Sequence, residues 1–191
     1  PSAASDGYKS QLSMFSFPIK PARFYRINRS IKTGGGALWD IGPYAIHTRR
    51  QCFKEKPVQV KAIAKINEHG ADISTSGLID FGNNKRATFD ISFECTRRSE
   101  FEAFGPLGRV KSPTVWQPED KQAKIIINTE SGGLTEEVVP AANHFILEIN
   151  HFNKAISSDT TQKLSNEDAL WNVKTLESIQ QSVQKDSWVT L

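Results

Sequence analysis

Cysteine is scarce in this chain: Cys52 and Cys95 are its two among 191 residues. So few thiols exclude a disulfide-stapled scaffold and fit two buried, reduced side chains in a cytoplasm. No apolar run approaches the ~20 residues of a membrane-spanning helix. The first residues also lack the charged-then-apolar pattern of a secretory signal. An excess of one charge is missing too, since 24 Lys and Arg stand against 21 Asp and Glu. Apart from Arg49-Arg50 and Arg97-Arg98 the basic residues are scattered, which excludes the basic face with interleaved aromatics that nucleic acid binding needs. A Walker-type loop, a G-x-S-x-G elbow and a G-x-G-x-x-G fingerprint are all absent. Methionine occurs once, at Met14, and the chain starts with Pro1, so it is expected to be a piece of a longer polypeptide.

What is present suits one domain with a real core: 38% of residues are hydrophobic. Extended segments are expected from Ser10 to Ile19, stopped by Pro18 and Pro21, and around Phe24, Tyr25 and Ile27. A helix is expected over 37–53, with Gly42-Pro43 loosening its first turns. Period-two alternation from Val58 to Ile66, from Ile73 to Phe81 and from Ala87 to Cys95 reads as strands. Gly82-Asn83-Asn84 has the composition of a hairpin turn. Short strands are expected at 101–104, 109–111, 124–128 and 136–139, and a closing strand at 188–191. Asn143 to Ile156 carries Phe145, Ile149, Phe152 and Ile156 on one side of a helix. Ser165 to Asp168 has the cap-then-acid spacing that starts a last helix running to about Lys185. The fold class is α+β, a single domain over 1–191: an open-faced, mostly antiparallel mixed sheet with helices packed on one face.

The richest stretch is Gly34-Gly35-Gly36-Ala37-Leu38-Trp39-Asp40-Ile41-Gly42-Pro43-Tyr44. Glycines permit close backbone approach, and a helix places Asp40 and Tyr44 four apart on one face. A carboxylate beside a phenol can exchange a proton with a sugar or diol oxygen. The competing reading is a helix-start acid and a core tyrosine with its hydroxyl at the surface. A tyrosine with a pKa of about 10 is a poor base at neutral pH unless a cation lowers it. His47, three after Tyr44, reads as a substrate hydrogen bond or proton relay, or else as a half-buried helix histidine. Arg26 and Arg29 read as holding cofactor or an acidic substrate, or as an exposed basic loop. His144 and His151 lack neighbours at metal-ligand spacing, and no metal is expected.

The 34–44 run closely resembles the G-G-G-x-L-x-D-x-G-x-Y segment of the glucose–fructose oxidoreductase/inositol dehydrogenase (Gfo/Idh/MocA) superfamily. Ser16-Phe17-Pro18, Lys56 to Val60, the run FEAFGPLG over 101–108 and Leu164 to Ala169 are similar in the same order. The resemblance covers the superfamily's C-terminal domain and implies an absent N-terminal Rossmann domain that binds NAD or NADP. It implies catalytic roles for Tyr44, as acid/base toward the substrate oxygen, and for Asp40, as a positioning carboxylate. His47 and Arg26 would contact substrate, and Gly34 and Gly35 would approach cofactor. Glu55-Lys56-Pro57 spells the superfamily's lysine motif, but it follows the tyrosine helix and is not carried over.

The expectation is therefore the substrate domain of an NAD(P)-dependent oxidoreductase acting on a sugar, polyol or diol by hydride transfer. Alone it would bind no cofactor and be inactive. The alternative is a non-catalytic binding or dimerisation module of the same fold. In either case a homo-oligomer is expected through the open sheet face, where Thr88, Asp90, Ser92 and Glu94 lie.

Overall fold

The computed structural model describes residues 9–116, 121–158 and 164–191; Pro1 lies outside them. The strands are β1 (Ser10–Ser16), β2 (Gln59–Ile66), β3 (Asp72–Gly82), β4 (Lys85–Ser92), β5 (Arg98–Gly105), β6 (Gly108–Ser112), β7 (Ala123–Thr129), β8 (Leu134–Val139) and β9 (Val189–Thr190). They form one sheet in the order β8-β7-β6-β5-β1-β4-β3-β2-β9. Every neighbouring pair is antiparallel except β1 with β4. The helices are α1 (Ala37–Asp40), α2 (Gly42–Phe53), α3 (His144–Ser157) and α4 (Asn166–Lys185). The α+β reading holds, as does the mostly antiparallel open sheet. No helix among the described residues is long and apolar enough to cross a membrane.

Alternation decides which way the sheet faces. In β4, Ala87, Phe89 and Ile91 are buried while Arg86 and Thr88 are exposed. Register sets Gln11, Ser13 and Phe15 of β1 opposite those three apolar residues. α1, α2 and α4 cover this side of β1–β4 and β9, enclosing Phe15, Ile46, Ile79, Ile91, Leu176 and Ile179. At the β3–β4 hairpin Asn83 and Asn84 both adopt positive φ, 49° and 60°, the left-handed pair that matches strand twist in a two-residue turn.

Several expectations are corrected. The single helix over 37–53 is two helices that meet at Ile41, which caps α1 with φ drawn out to −116°. Pro43, lacking an N–H, cannot bond back across that joint. The segment around Phe24 is not extended: Pro21–Arg26 is a 3-10 helix with Pro at its start, where a fixed φ favours helical geometry. Cys95 is exposed and Cys52 only half-buried, since β4 ends at Ser92 and the chain turns away. Ser92 itself is buried, its hydroxyl accepting from the Glu94 and Cys95 amides. The apolar stripe of α3 is not packed inward: Phe145, Ile149, Phe152 and Ile156 are each more than half exposed.

Two buried polar groups tie the helices to the sheet. Arg49 of α2 is fully buried, its Nε donating to Ser13 Oγ at 3.1 Å and its Nη2 to the Thr88 carbonyl at 2.6 Å. Burial pushes its pKa down to about 9, which still leaves it charged at neutral pH. Asp72, also fully buried, accepts at Oδ2 from the Leu38 amide at 2.8 Å and from Thr75 Oγ1 at 2.7 Å. This carboxylate satisfies an amide at the start of α1 that has no partner within its own helix. Gly36 is required here: φ is +100°, and a Cβ would lie 1.9 Å from Asp72 Oδ1.

Burial first raises the Asp72 pKa, against the lowering effect of its Thr75 and Leu38 hydrogen bonds. A carboxyl raised in the fold contributes most below its unfolded value, and stability falls as pH rises through the folded one. Asp72→Asn, which removes the charge, should flatten that decline in urea midpoints above pH of about 4. Gly36→Ala should cost about 2 kcal/mol or more. It should cost less in an Asp72→Ala background, where the clash is relieved but the unfavourable φ persists.

Candidate active site

The glycine run is bonded to the loop before it. The Gly36 amide donates to the Arg26 carbonyl at 2.9 Å and the Gly35 amide to the Ser30 carbonyl at 3.1 Å. A Cβ on Gly35 would lie 2.0 Å from the Arg29 carbonyl oxygen, so the loop sits directly on the glycine. This contact brings the Arg26 side chain over α1, where Nη1 meets Asp40 Oδ2 at 2.5 Å. Arg26 Nε also donates to the Tyr25 hydroxyl at 3.4 Å. That hydrogen bond first, and then Asp40, raise the Arg26 pKa against partial burial.

Around this pair opens a cleft of about 250 Å³ lined by Tyr25, Arg26, Arg29, Gly34, Gly35, Trp39 and Asp40. A second cleft, about 610 Å³, shares Gly34 and Trp39 and reaches Glu177 and Gln180 of α4. Trp39 Nε1 donates to Gln180 Oε1 at 2.9 Å between them. Of the expected site residues, Arg26, Asp40, Gly34 and Gly35 therefore meet at one cleft. The glycines serve it through the backbone: Gly35 is pressed against the Arg29 carbonyl, whereas a Cβ on Gly34 would meet nothing within 4 Å.

Tyr44 stands outside that lining, in the first turn of α2, with 39% of its surface exposed. Its ring meets Phe15 edge-on, centroids 5.6 Å apart at 89°. Phe15 packs in turn on Trp116 at 5.2 Å, whose Nε1 donates to Thr48 Oγ1 at 3.1 Å. The phenol is thus braced on an aromatic shelf at the edge of the core, and it is not enclosed in the core. His47 is turned elsewhere: its Nδ1 lies 3.0 Å from Asp168 Oδ2, and Gln51 Nε2 donates to Asp168 Oδ1 at 3.1 Å. Lys56 lies beside the same end of α4, 2.7 Å from Glu167 and over the Trp171 ring at 5.0 Å. Among the described residues no group of His, Cys, Asp and Glu converges on a metal position.

Tyr25, Trp39, Trp116 and Asp168 were not anticipated as site neighbours. Reading the segment around Tyr25 as extended hid its stacking under Arg26. The Ser165-to-Asp168 cap spacing was visible, but what Asp168 would face was not.

The sequence matches the GFO/IDH/MocA C-terminal domain over residues 13–111, just over half of the chain. The chain belongs to that family. It is 29% identical over 165 residues to an uncharacterized oxidoreductase, ORF334, of Rhizobium meliloti, covering 83% of this chain and 49% of that protein. It is 22% identical over 184 residues to a D-xylose 1-dehydrogenase (NADP(+)) of Haloferax volcanii, covering 95% and 56%. The crystal structure of aldose–aldose oxidoreductase from Caulobacter crescentus, complexed with glycerol, shares the fold. Its TM-score is 0.83 at 19% identity, over 100% of this chain and 58% of that one. The chain spans about half the length of the curated relatives it matches.

The Arg26–Asp40 pair is partly solvated, so Asp40→Asn should cost no more than ~1 kcal/mol of stability. Phe15→Ala, which empties the shelf under Tyr44, should cost about 3–5 kcal/mol and redden the tryptophan emission. Urea titrations followed by fluorescence measure both.

Proposed function

We propose that this chain is the substrate-binding half of an NAD(P)-dependent oxidoreductase acting on a sugar, polyol or diol, working in the cytoplasm. The observation that carries this is Tyr44: an exposed phenol on a rigid aromatic shelf, in a chain of this family. The Haloferax relative's name, with its xylose and NADP(+), supports the sugar class and the cofactor. Two thiols with no bridge between them suit a reducing compartment.

Tyr44 exchanges the hydroxyl proton of the substrate, as an acid toward a carbonyl oxygen, or as a base once a cation lowers its pKa. Arg26, held by Asp40 and Tyr25, presents donors to substrate oxygens at the neighbouring cleft, and Asp40 fixes that guanidinium. His47, through Asp168, holds α2 against α4 beneath the site. The residues present do not form a dinucleotide cradle, because Gly35 and Gly36 are filled by the Arg29 carbonyl and Asp72. The nicotinamide nucleotide, which would supply the hydride chemistry when bound, therefore belongs to the other half of the polypeptide; Gly34, beside which a Cβ would meet nothing within 4 Å, is the glycine of the run that leaves room for it. The chain alone is then inactive.

The open face of the sheet supports a homo-oligomer, and with it the alternative of a non-catalytic assembly module. Cross-strand ion pairs lace that face: Lys111 with Glu100 at 3.0 Å, Arg109 with Glu102 at 3.3 Å, and Arg98 with Asp90. Thr88 is exposed among them.

In the polypeptide extended through its upstream coding sequence, Tyr44→Phe should lower kcat about 10²–10⁴-fold and leave the Kd for NADPH unchanged. Undiminished turnover removes Tyr44 from the mechanism. For the 191-residue chain, excess NADPH should not raise Tm, because a ligand stabilises only what it binds. A clear rise would put the nucleotide site in this half.

A further inference from the structure

The loop that carries Arg26 is basic at every third position: Lys20, Arg23, Arg26, Arg29 and Lys32. No Asp or Glu occurs between Asp6 and Asp40, so nothing within the segment neutralises it. Arg26 is answered by Asp40. The side chains of Arg29 and Lys32 are exposed and have no carboxylate or hydrogen-bond partner among the described residues. They stand on different walls of the paired clefts. Arg29 lines the smaller, Lys32 lines the larger, and Trp39 lines both. Lys20 and Arg23 line neither. Cations gathered at a concave surface focus a positive potential there, and a guanidinium fork matches the oxygens of an anionic group.

Tyr44 lines neither cleft, so what the clefts hold is a part of the substrate away from the oxygen that exchanges its proton. Small-molecule sites run roughly 300–1,000 Å³. The smaller cleft, about 250 Å³, falls short of that by itself, and the larger, about 610 Å³, reaches it. Trp39 gives the larger cleft an aromatic ring, and Glu177, Gln180 and Gln181 give it acceptors and donors, a wall suited to the face and hydroxyls of a sugar. We propose that the substrate is a phosphorylated sugar whose phosphate monoester is held between Arg29 and Lys32, where the two clefts adjoin at Trp39. This names the substrate class within the function proposed above and rests on it. A phosphate monoester carries about −1.5 to −2 charge at pH 7 and three acceptor oxygens, enough to answer both cations. A sugar carboxylate, with one charge and two oxygens, answers one of them. A nucleotide diphosphate would bring further charge against Glu177. Binding at such a remote handle also helps to orient the reacting end.

Calorimetric titration at fixed ionic strength tests the proposal, in the 191-residue chain and in the polypeptide extended through its upstream coding sequence. The probes are D-glucose 6-phosphate, D-ribose 5-phosphate, D-glucose, D-glucuronate and NADP+. At least one sugar phosphate should bind about tenfold or more tightly than glucose and glucuronate do. The paired substitution Arg29→Ala with Lys32→Ala should weaken that binding about tenfold or more. Lys20→Ala with Arg23→Ala, which removes the same charge from the same loop outside the clefts, should leave it unchanged. Equal losses in the two pairs reduce the effect to the general charge of the loop and overturn the proposal. So does binding of glucose or glucuronate as tight as that of the sugar phosphates, or no binding of either sugar phosphate to either form. If the Arg29 and Lys32 substitutions weaken NADP+ and spare the sugar phosphates, the two cations belong to the nucleotide and the proposal is overturned. Tyr44-dependent turnover of an unphosphorylated sugar in the extended protein, indifferent to the Arg29 and Lys32 pair, leaves the proposed function standing and removes this substrate class. Sugar phosphate binding that needs the pair, without any Tyr44-dependent turnover of the bound sugar phosphate, keeps the anion site and removes the catalytic reading.

Discussion

A buried carboxylate meeting the start of a helix determines where everything else in the candidate site can be. Asp72, at the first position of β3, accepts from the Leu38 amide and presses against Gly36. The start of α1 is thereby fixed on the sheet, and with it the direction in which Trp39 and Asp40 project. Desolvating an acid this deeply is costly unless it is hydrogen-bonded, and its bonds to Leu38 and Thr75 offset that cost. The third glycine of the run follows from this contact, since any side chain there would occupy the position of the Asp72 oxygen.

From that anchor the site divides into two neighbouring parts with different physics. One is polar and backbone-built: the 26–30 loop lies on Gly35, so the Arg26 guanidinium is carried to Asp40 and opens a small cleft. The other is aromatic: Phe15, Trp116 and Thr48 hold Tyr44 at the rim of the core. The break at Ile41 separates them, letting α1 follow Asp72 while α2 follows its own packing against β1 and β4. Arg49 secures that second packing from beneath, with its charge spread over a serine hydroxyl, a carbonyl and the Phe89 ring.

The sheet is used unevenly. Its helix side is closed over β1–β4 and β9, while no helix among the described residues makes more than marginal contact with β5–β8, and its other side is laced with opposite charges across strands. Each cross-strand pair of this kind adds little stability in water. A row of them does discriminate strongly between partners through charge complementarity.

Most of the fold was legible along the chain because strand and helix periods are local. The alternation from Ala87 to Ile91 predicted which side of β4 is buried, and Asn83-Asn84 predicted the hairpin that leads into it. The N-terminal cap of α4 was likewise legible at Ser165, whereas the short motif put Asp40 and Tyr44 on one helix face and the structure divides them between α1 and α2, with Tyr44 outside the Arg26–Asp40 cleft. Arg26 meeting Asp40, His47 turning to Asp168, Asp72 explaining Gly36, and the exposure of Cys95 and the α3 stripe were decided only in three dimensions. Each depends on residues brought together from distant parts of the sequence, or on which faces the packing leaves uncovered. Periodicity reports which face of an element is apolar, but the partner that covers that face is set by how the chain packs in space.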